Sequence, residues 1–219
     1  MILLIDTAQE SSSIALAENG RVLFTEENSV TNETAAWLHP AISRLLDQAG
    51  KNIRQLEAVA VVAGPGSYTG LRVGMAAAKG FCYALKIPLI TRNTLQVMAA
   101  SMLTVALDKK ALICPLIDAR RDEVYTALYS ADGAELIPPR ALILDKNAFE
   151  EELSRNLIIF FGSGAGKWKK INQAPSALFA VQPDSNQSFA KLAGEDFFAK
   201  NWSDPVYTEP VYLKEFFSY

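Results

Sequence analysis

Between residues 58 and 85 an uninterrupted apolar segment, Ala58 to Ala63, leads into Gly64-Pro65-Gly66-Ser67-Tyr68-Thr69-Gly70 and then into an alanine- and glycine-rich segment ending at Leu85. An apolar run without polar alternation predicts a strand buried on both faces, the habit of parallel sheets. Leu71 to Leu85 predicts a helix. The junction is a strand, a glycine loop and a helix, the arrangement that offers backbone N–H groups to an anion. It matches no standard motif. The phosphate loop G-x-x-x-x-G-K-[ST] lacks its lysine. The third glycine of G-x-G-x-x-G comes one residue late. The nucleophile elbow G-x-S-x-G fails at Pro65 and Thr69.

With 219 residues, 50% hydrophobic and 21% charged, the chain can fill one large domain or two modest lobes. A net charge of −3 argues against tight autonomous nucleic-acid binding, which draws on Lys and Arg. Cys82 and Cys114 lie in apolar surroundings without metal-type spacing, so both are expected as buried, reduced thiols. Met1 to Ile5 is too short for a signal sequence, and no apolar run approaches the ~20 residues of a membrane span. The expected location is the cytoplasm.

In order, residues 2–5, 12–17 and 21–26 predict strands, with Asn19-Gly20 as a hairpin turn. Residues 34–49 predict a helix with Ala35, Leu38, Ile42, Leu45, Leu46 and Ala49 inward, Gly50 as its stop, and Pro40 as a start or a kink. The buried strand 58–63 and the helix 71–85 follow. Leu89-Ile90 is a short strand, and Thr94 can cap a helix over 95–106.

The pattern then restarts. Residues 111–117 are apolar and end at Asp118. A strand over 124–129 and a turn at Ala131-Asp132-Gly133 follow. Leu4-Ile5-Asp6 matches Leu116-Ile117-Asp118, and Leu157 to Phe161 runs into Gly162-Ser163-Gly164 as Val59 to Ala63 runs into Gly64-Pro65-Gly66. This is an internal duplication of β-β-β-α-β-α, an α/β chain with lobes at 1–106 and 107–219, the break falling near Leu107-Asp108-Lys109-Lys110. Helices near 146–154 and 188–200 and a proline-containing tail complete the second half.

Such a duplication, with an aspartate ending each first strand, is similar to the actin, hexokinase and Hsp70 (ASKHA) fold. The opening Ile5-Asp6-Thr7-Ala8, the phrase Gly64 to Gly74, the segment Asp118-Ala119-Arg120-Arg121-Asp122-Glu123-Val124-Tyr125 and Glu209-Pro210-Val211-Tyr212-Leu213 resemble the bacterial TsaB (YeaZ) family across the whole chain. The resemblance implies a non-catalytic subunit in the synthesis of threonylcarbamoyladenosine in tRNA. Its implied partners are the catalytic paralogue TsaD, the ATPase TsaE and a second copy of itself, with tRNA met only through the complex. It implies no catalytic residue, no metal and no resident cofactor, although ATP or ADP could lodge at the complex interface. The paralogue ligates metal with two histidines; this chain has one, His39, and Glu33 stands where the family often keeps a histidine.

Asp6 and Asp118 read either as water-mediated magnesium holders over nucleotide phosphates or as caps for turn N–H groups. Gly64, Gly66 and Ser67 read either as a phosphate cradle or as close strand–helix packing. Gly162-Ser163-Gly164 with Lys167 divides the same way, and Arg120 and Arg121 read as a solvated turn or as a phosphate contact. Along the helix from 71, Gly70, Gly74 and Ala78 recur every four residues, giving a face without bulk that another helix can approach. Trp37, Leu38, Gly70, Gly74, Ala77, Ala78 and Phe81 are the expected partner interface. A stand-alone ATPase or kinase using Asp6 and Asp118 is the alternative.

Overall fold

The computed structural model describes residues 1–30, 33–106 and 110–214. The chain folds as β1 (Ile2–Asp6), β2 (Ser12–Glu18), β3 (Arg21–Asn28), α1 (Thr34–Gln48), β4 (Ala58–Gly64), α2 (Tyr68–Leu85), β5 (Leu89–Asn93) and α3 (Thr94–Val105). It continues as β6 (Leu112–Asp118), β7 (Glu123–Tyr129), β8 (Glu135–Ile143), α4 (Glu150–Arg155), β9 (Ile158–Phe161), α5 (Ala165–Ile171), β10 (Ala177–Phe179) and α6 (Asn186–Ala199). Each half therefore carries the expected β-β-β-α-β-α order and adds one strand and one helix. The two sheets have matching orders, β3-β2-β1-β4-β5 and β10-β9-β6-β7-β8. In each, the first strand pairs antiparallel with the second and parallel with the fourth. This is the duplicated α/β architecture expected from the internal repeat.

The first sheet explains why β1 and β4 read as continuous apolar runs. Leu3, Ile5, Val59 and Val61 point to one face, where they meet Leu38, Ile42 and Leu45 of α1 and Met75 and Ala78 of α2. Ile2, Leu4, Ala58, Ala60 and Val62 point to the other, where they meet Phe189, Ala190 and Ala193 of α6. Both faces are covered, so neither needs polar alternation.

That second cover corrects the expected lobes at 1–106 and 107–219. One compact unit is Met1–Val97 with Ser185–Val211; the other is Met98–Asp184 with the residues from Tyr212. The first half supplies too few helices to cover both faces of its own sheet, so the last helix returns to it. Arg92 of β5 anchors α6 with an ion pair from Nε to Asp196 Oδ2 at 2.5 Å, and its guanidinium also donates to Leu192 O at 3.3 Å. The expected break at 107–110 falls, except for Lys110, outside the described residues.

Local differences have local causes. α1 runs unbroken through Pro40, which lies on the exposed side. Ala35, expected inward, is exposed. Gly50 ends the helix at φ +61°, with Lys51 N donating to Leu46 O at 2.9 Å. α3 is capped by Asn93 rather than Thr94: the side-chain Oδ1 of Asn93 accepts from Leu95 N at 2.9 Å. The helix expected at 146–154 is the shorter α4, preceded by Phe149 at φ +60°. α5 and β10 were not anticipated. Their core anchor is Trp168, which packs with Phe149 and Phe160.

Candidate functional site

The glycine junction is built against the end of β1. α2 begins at Tyr68, with Ser67 as its N-cap, so Gly70 lies in its first turn. Gly66 passes over Ala8: a Cβ there would stand 2.1 Å from Ala8 O. At Gly70 it would stand 2.0 Å from Thr7 O, and at Gly74 2.3 Å from Thr7 Oγ1. Gly64, at φ +115°, lies under Val211, whose N–H donates to Ala63 O at 2.7 Å. Gly64, Gly66 and Gly70 are thus required by the backbones that cross them, and Gly74 by the side chain of Thr7.

Two of the loop's backbone donors are engaged within the lobe. Ser67 N donates to Ala8 O at 2.7 Å, and Gly70 N donates to the Ser67 hydroxyl at 3.3 Å. Thr7 Oγ1 closes the contact by donating to Gly70 O at 2.7 Å. Asp6 is buried beside them, 6% exposed, and Oδ1 accepts from Ala8 N at 3.0 Å. Burial pushes its carboxyl up to about 6, opposed by hydrogen bonds from Ala8 N–H and the Gln9 side chain. The carboxylate that could face a metal is oriented by its own turn.

In the other unit, Asp118 is more open. Oδ1 accepts from Arg120 N at 2.7 Å and from Lys167 Nζ at 2.7 Å, while its own N–H donates to the Ser163 hydroxyl at 3.0 Å. Gly162, at φ +98°, and Gly164 pack on the end of β6 as Gly64 and Gly66 pack on their neighbours. A Cβ at Gly162 would lie 2.6 Å from Leu116 O, and Gly164 N donates to Leu116 O at 2.8 Å. Lys167, read from the sequence together with this glycine loop, belongs to α5.

The expected partner face is corrected. Leu38, Gly70, Gly74, Ala77 and Ala78 are buried within their own lobe: Gly70 and Gly74 pack on Thr7 and Ile5 at the end of β1, and Leu38, Ala77 and Ala78 join the core beneath the sheet. Trp37 and Phe81 are half-buried at the edge of the same core, and the Phe81 ring lies 5.6 Å from that of His39. The outward side of α2 is instead Arg72, Ala76, Gly80, Tyr83 and Ala84, with Tyr83 87% exposed. Ala36, His39 and Pro40 are exposed on α1. The sequence signal that could have found this side was its spacing, offset from the glycine stripe. The two helices flank a groove of about 360 Å³ lined by His39, Ser43, Asp47, Lys51 and Phe81. His39, Ser43 and Asp47 share that groove, yet among the described residues no hydrogen bond links them as a nucleophile–base pair requires.

Among the described residues no group of three His, Cys, Asp or Glu is placed to hold a metal ion, and no helix is long and apolar enough to cross a membrane.

The protein family described as "TsaD: tRNA N6-adenosine threonylcarbamoyltransferase" matches residues 28–156. The tRNA threonylcarbamoyladenosine biosynthesis protein TsaB of Bacillus subtilis is 34% identical over 65% of this chain, and the match spans 62% of that relative's length. TsaB of Haemophilus influenzae is 26% identical over 97% of this chain and 93% of its own. A crystal structure from Pseudomonas aeruginosa, described as an uncharacterized protein with similarity to peptidase YEAZ, superposes with a TM-score of 0.81. It is 27% identical and covers 97% of this chain and 99% of its own.

Proposed function

We propose that this chain, which belongs to the TsaB (YeaZ) family, works in the biosynthesis of threonylcarbamoyladenosine in tRNA as a non-catalytic subunit. In this reading it docks onto and activates a TsaD-type threonylcarbamoyltransferase, with the ATPase TsaE as a further partner. A second copy of the chain can occupy the same face when the transferase is absent. ATP or ADP belongs to the assembled interface rather than to this chain alone.

The observation that carries this reading is Gly80. Glycine in a helix interior costs about 1 kcal/mol relative to alanine. At Gly70 and Gly74 the reason is visible in the same lobe. At Gly80 a Cβ would meet nothing within 4 Å, and the residue is exposed. Its neighbours on that side, Ala76 and Ala84, are also small, and Tyr83 projects beside them. A helix face without bulk, flanked by an exposed tyrosine, suits close approach of a helix from another chain. Trp37 and Phe81 lie at its margin.

Light scattering after size exclusion tests this, on the chain alone and mixed with its own TsaD-type paralogue. A one-to-one species that Gly80→Arg abolishes, with unchanged thermal unfolding, is the expected result. Gly74→Arg is not a valid probe, because it would collide with Thr7 inside the lobe. No association under any condition, together with stoichiometric Mg-ATP binding lost in Asp6→Ala, would replace this reading with a stand-alone nucleotide-dependent enzyme.

A further inference from the structure

We infer that the turn between β6 and β7 is this chain's own contact to the phosphate backbone of RNA, made by Arg120 and Arg121; the choice of ligand rests on the tRNA role proposed above. Both arginines hold left-handed backbone, at φ +67° and +51°. That conformation is uncommon for residues other than glycine, and uncommon conformations of this kind gather where a site needs them. Two lysines hold the turn in shape. Lys167 Nζ donates to Arg121 O at 2.6 Å, and Lys214 Nζ donates to Ala119 O at 3.3 Å. The same two ammonium groups pair with the carboxylates of Asp118 and Glu123.

The consequence is a division of charge. The acids at either end of the turn are engaged by lysines, so they do not neutralise the arginines. Arg120 and Arg121 are exposed, and among the described residues their guanidinium groups make no hydrogen bond or ion pair; Asp122 pairs with neither. Two adjacent guanidinium groups present the planar donor forks that match phosphate oxygens. Tyr125 adds the feature that separates a nucleic acid from a plain anion. Its half-buried ring lies with Lys214 Nζ 5.8 Å from the centroid, and unpaired bases stack on such rings. Because the whole chain carries a net charge of −3, RNA would be held by this turn rather than by general attraction.

Fluorescence anisotropy of a labelled tRNA anticodon stem–loop, titrated with the full chain at low ionic strength, alone and with the TsaD-type paralogue, tests the inference. Arg120→Gly with Arg121→Gly removes both guanidinium groups and suits the left-handed backbone, so the turn is retained. Lys169→Ala with Lys170→Ala removes the same charge from exposed positions of α5. The arginine pair should weaken binding about tenfold and lower the salt slope by about 1 per phosphate contact. The lysine pair should leave both within about twofold, and neither pair should lower the melting temperature. Equal losses from the two pairs, binding indifferent to the arginines, or no binding in either setting overturns the inference. Displacement of the RNA by ATP at matched phosphate concentration overturns RNA as the ligand. A complex that forms normally but binds tRNA without the arginines leaves the proposed function standing and sinks this inference. Arginine-dependent binding by the chain alone, with no complex formed, does the reverse.

Discussion

Thr7 Oγ1 donates a hydrogen bond to the carbonyl of Gly70 at 2.7 Å, inside the lobe, and the same hydroxyl oxygen stands 2.3 Å from where a Cβ of Gly74 would be. One threonine just past the first strand therefore sets the closeness of α2 to β1. Gly74→Ala forces that contact apart and should destabilise the chain by about 2–4 kcal/mol, as over-packing and loss of a buried hydrogen bond combine. Gly80→Ala should do the opposite, gaining about 1 kcal/mol of helix propensity in open space. Thermal unfolding of both variants side by side checks the pair. Similar losses at the two sites would show that the helix, not the Thr7 contact, sets the requirement.

Asp6 makes stability depend on pH in a stated direction. Its folded carboxyl is raised to about 6 from an ordinary 3.8. Between those values the folded state binds the proton and the unfolded state does not, so this group's contribution grows as pH falls from about 6 towards 4. Above pH 6 the buried carboxylate is a liability. Asp6→Asn keeps the acceptor for Ala8 N and removes the charge, so it should stabilise the chain at pH 7.5 by on the order of 2 kcal/mol. The gain should vanish near pH 4. Melting temperatures of both proteins across that range decide it; a loss at pH 7.5 would mean the carboxylate is better held than its burial implies.

The ion pair of Arg92 with Asp196 fixes α6 on the first sheet, with side chains 17% and 7% exposed. Removing one partner leaves a buried charge, so Asp196→Ala should cost about 3–5 kcal/mol in denaturant unfolding. Arg92→Met with Asp196→Leu should recover most of that loss.

The same packing predicts that residues 1–106 expressed alone do not fold, because Phe189, Ala190 and Ala193 would be missing from one face of the sheet. Adding residues 185–211 in trans should restore structure. Circular dichroism and amide NMR dispersion of the fragment, with and without that peptide, provide the readout; a well-dispersed spectrum for 1–106 alone would contradict the packing account.

Cys82 and Cys114 are buried, and burial pushes their thiols up to about 11 and about 12. A thiol-specific reagent at pH 8 should label neither in the native protein and both in denaturant. Rapid native labelling of Cys82 would indicate local opening at the end of α2.

Much of this was legible in the chain itself. Asn19-Gly20, the apolar run from Ala58 to Ala63 and the echo of Leu4-Ile5-Asp6 in Leu116-Ile117-Asp118 determined the hairpin, the buried strand and the duplication. Turn chemistry and burial on both faces leave periodic traces in a single segment. Where the small residues of α2 point was different. Gly70, Gly74 and Ala78 form a stripe that packs equally well on a foreign helix or on a home strand. Only the position of Thr7, brought there by the β1–β4 pairing, decided in favour of the strand. The fate of α6 was likewise hidden. Its residues signal a helix with an apolar side, but a sheet face that needs covering is a property of the assembled lobe. Chain order carries no record of it, and burial is settled only when the whole surface competes for cover.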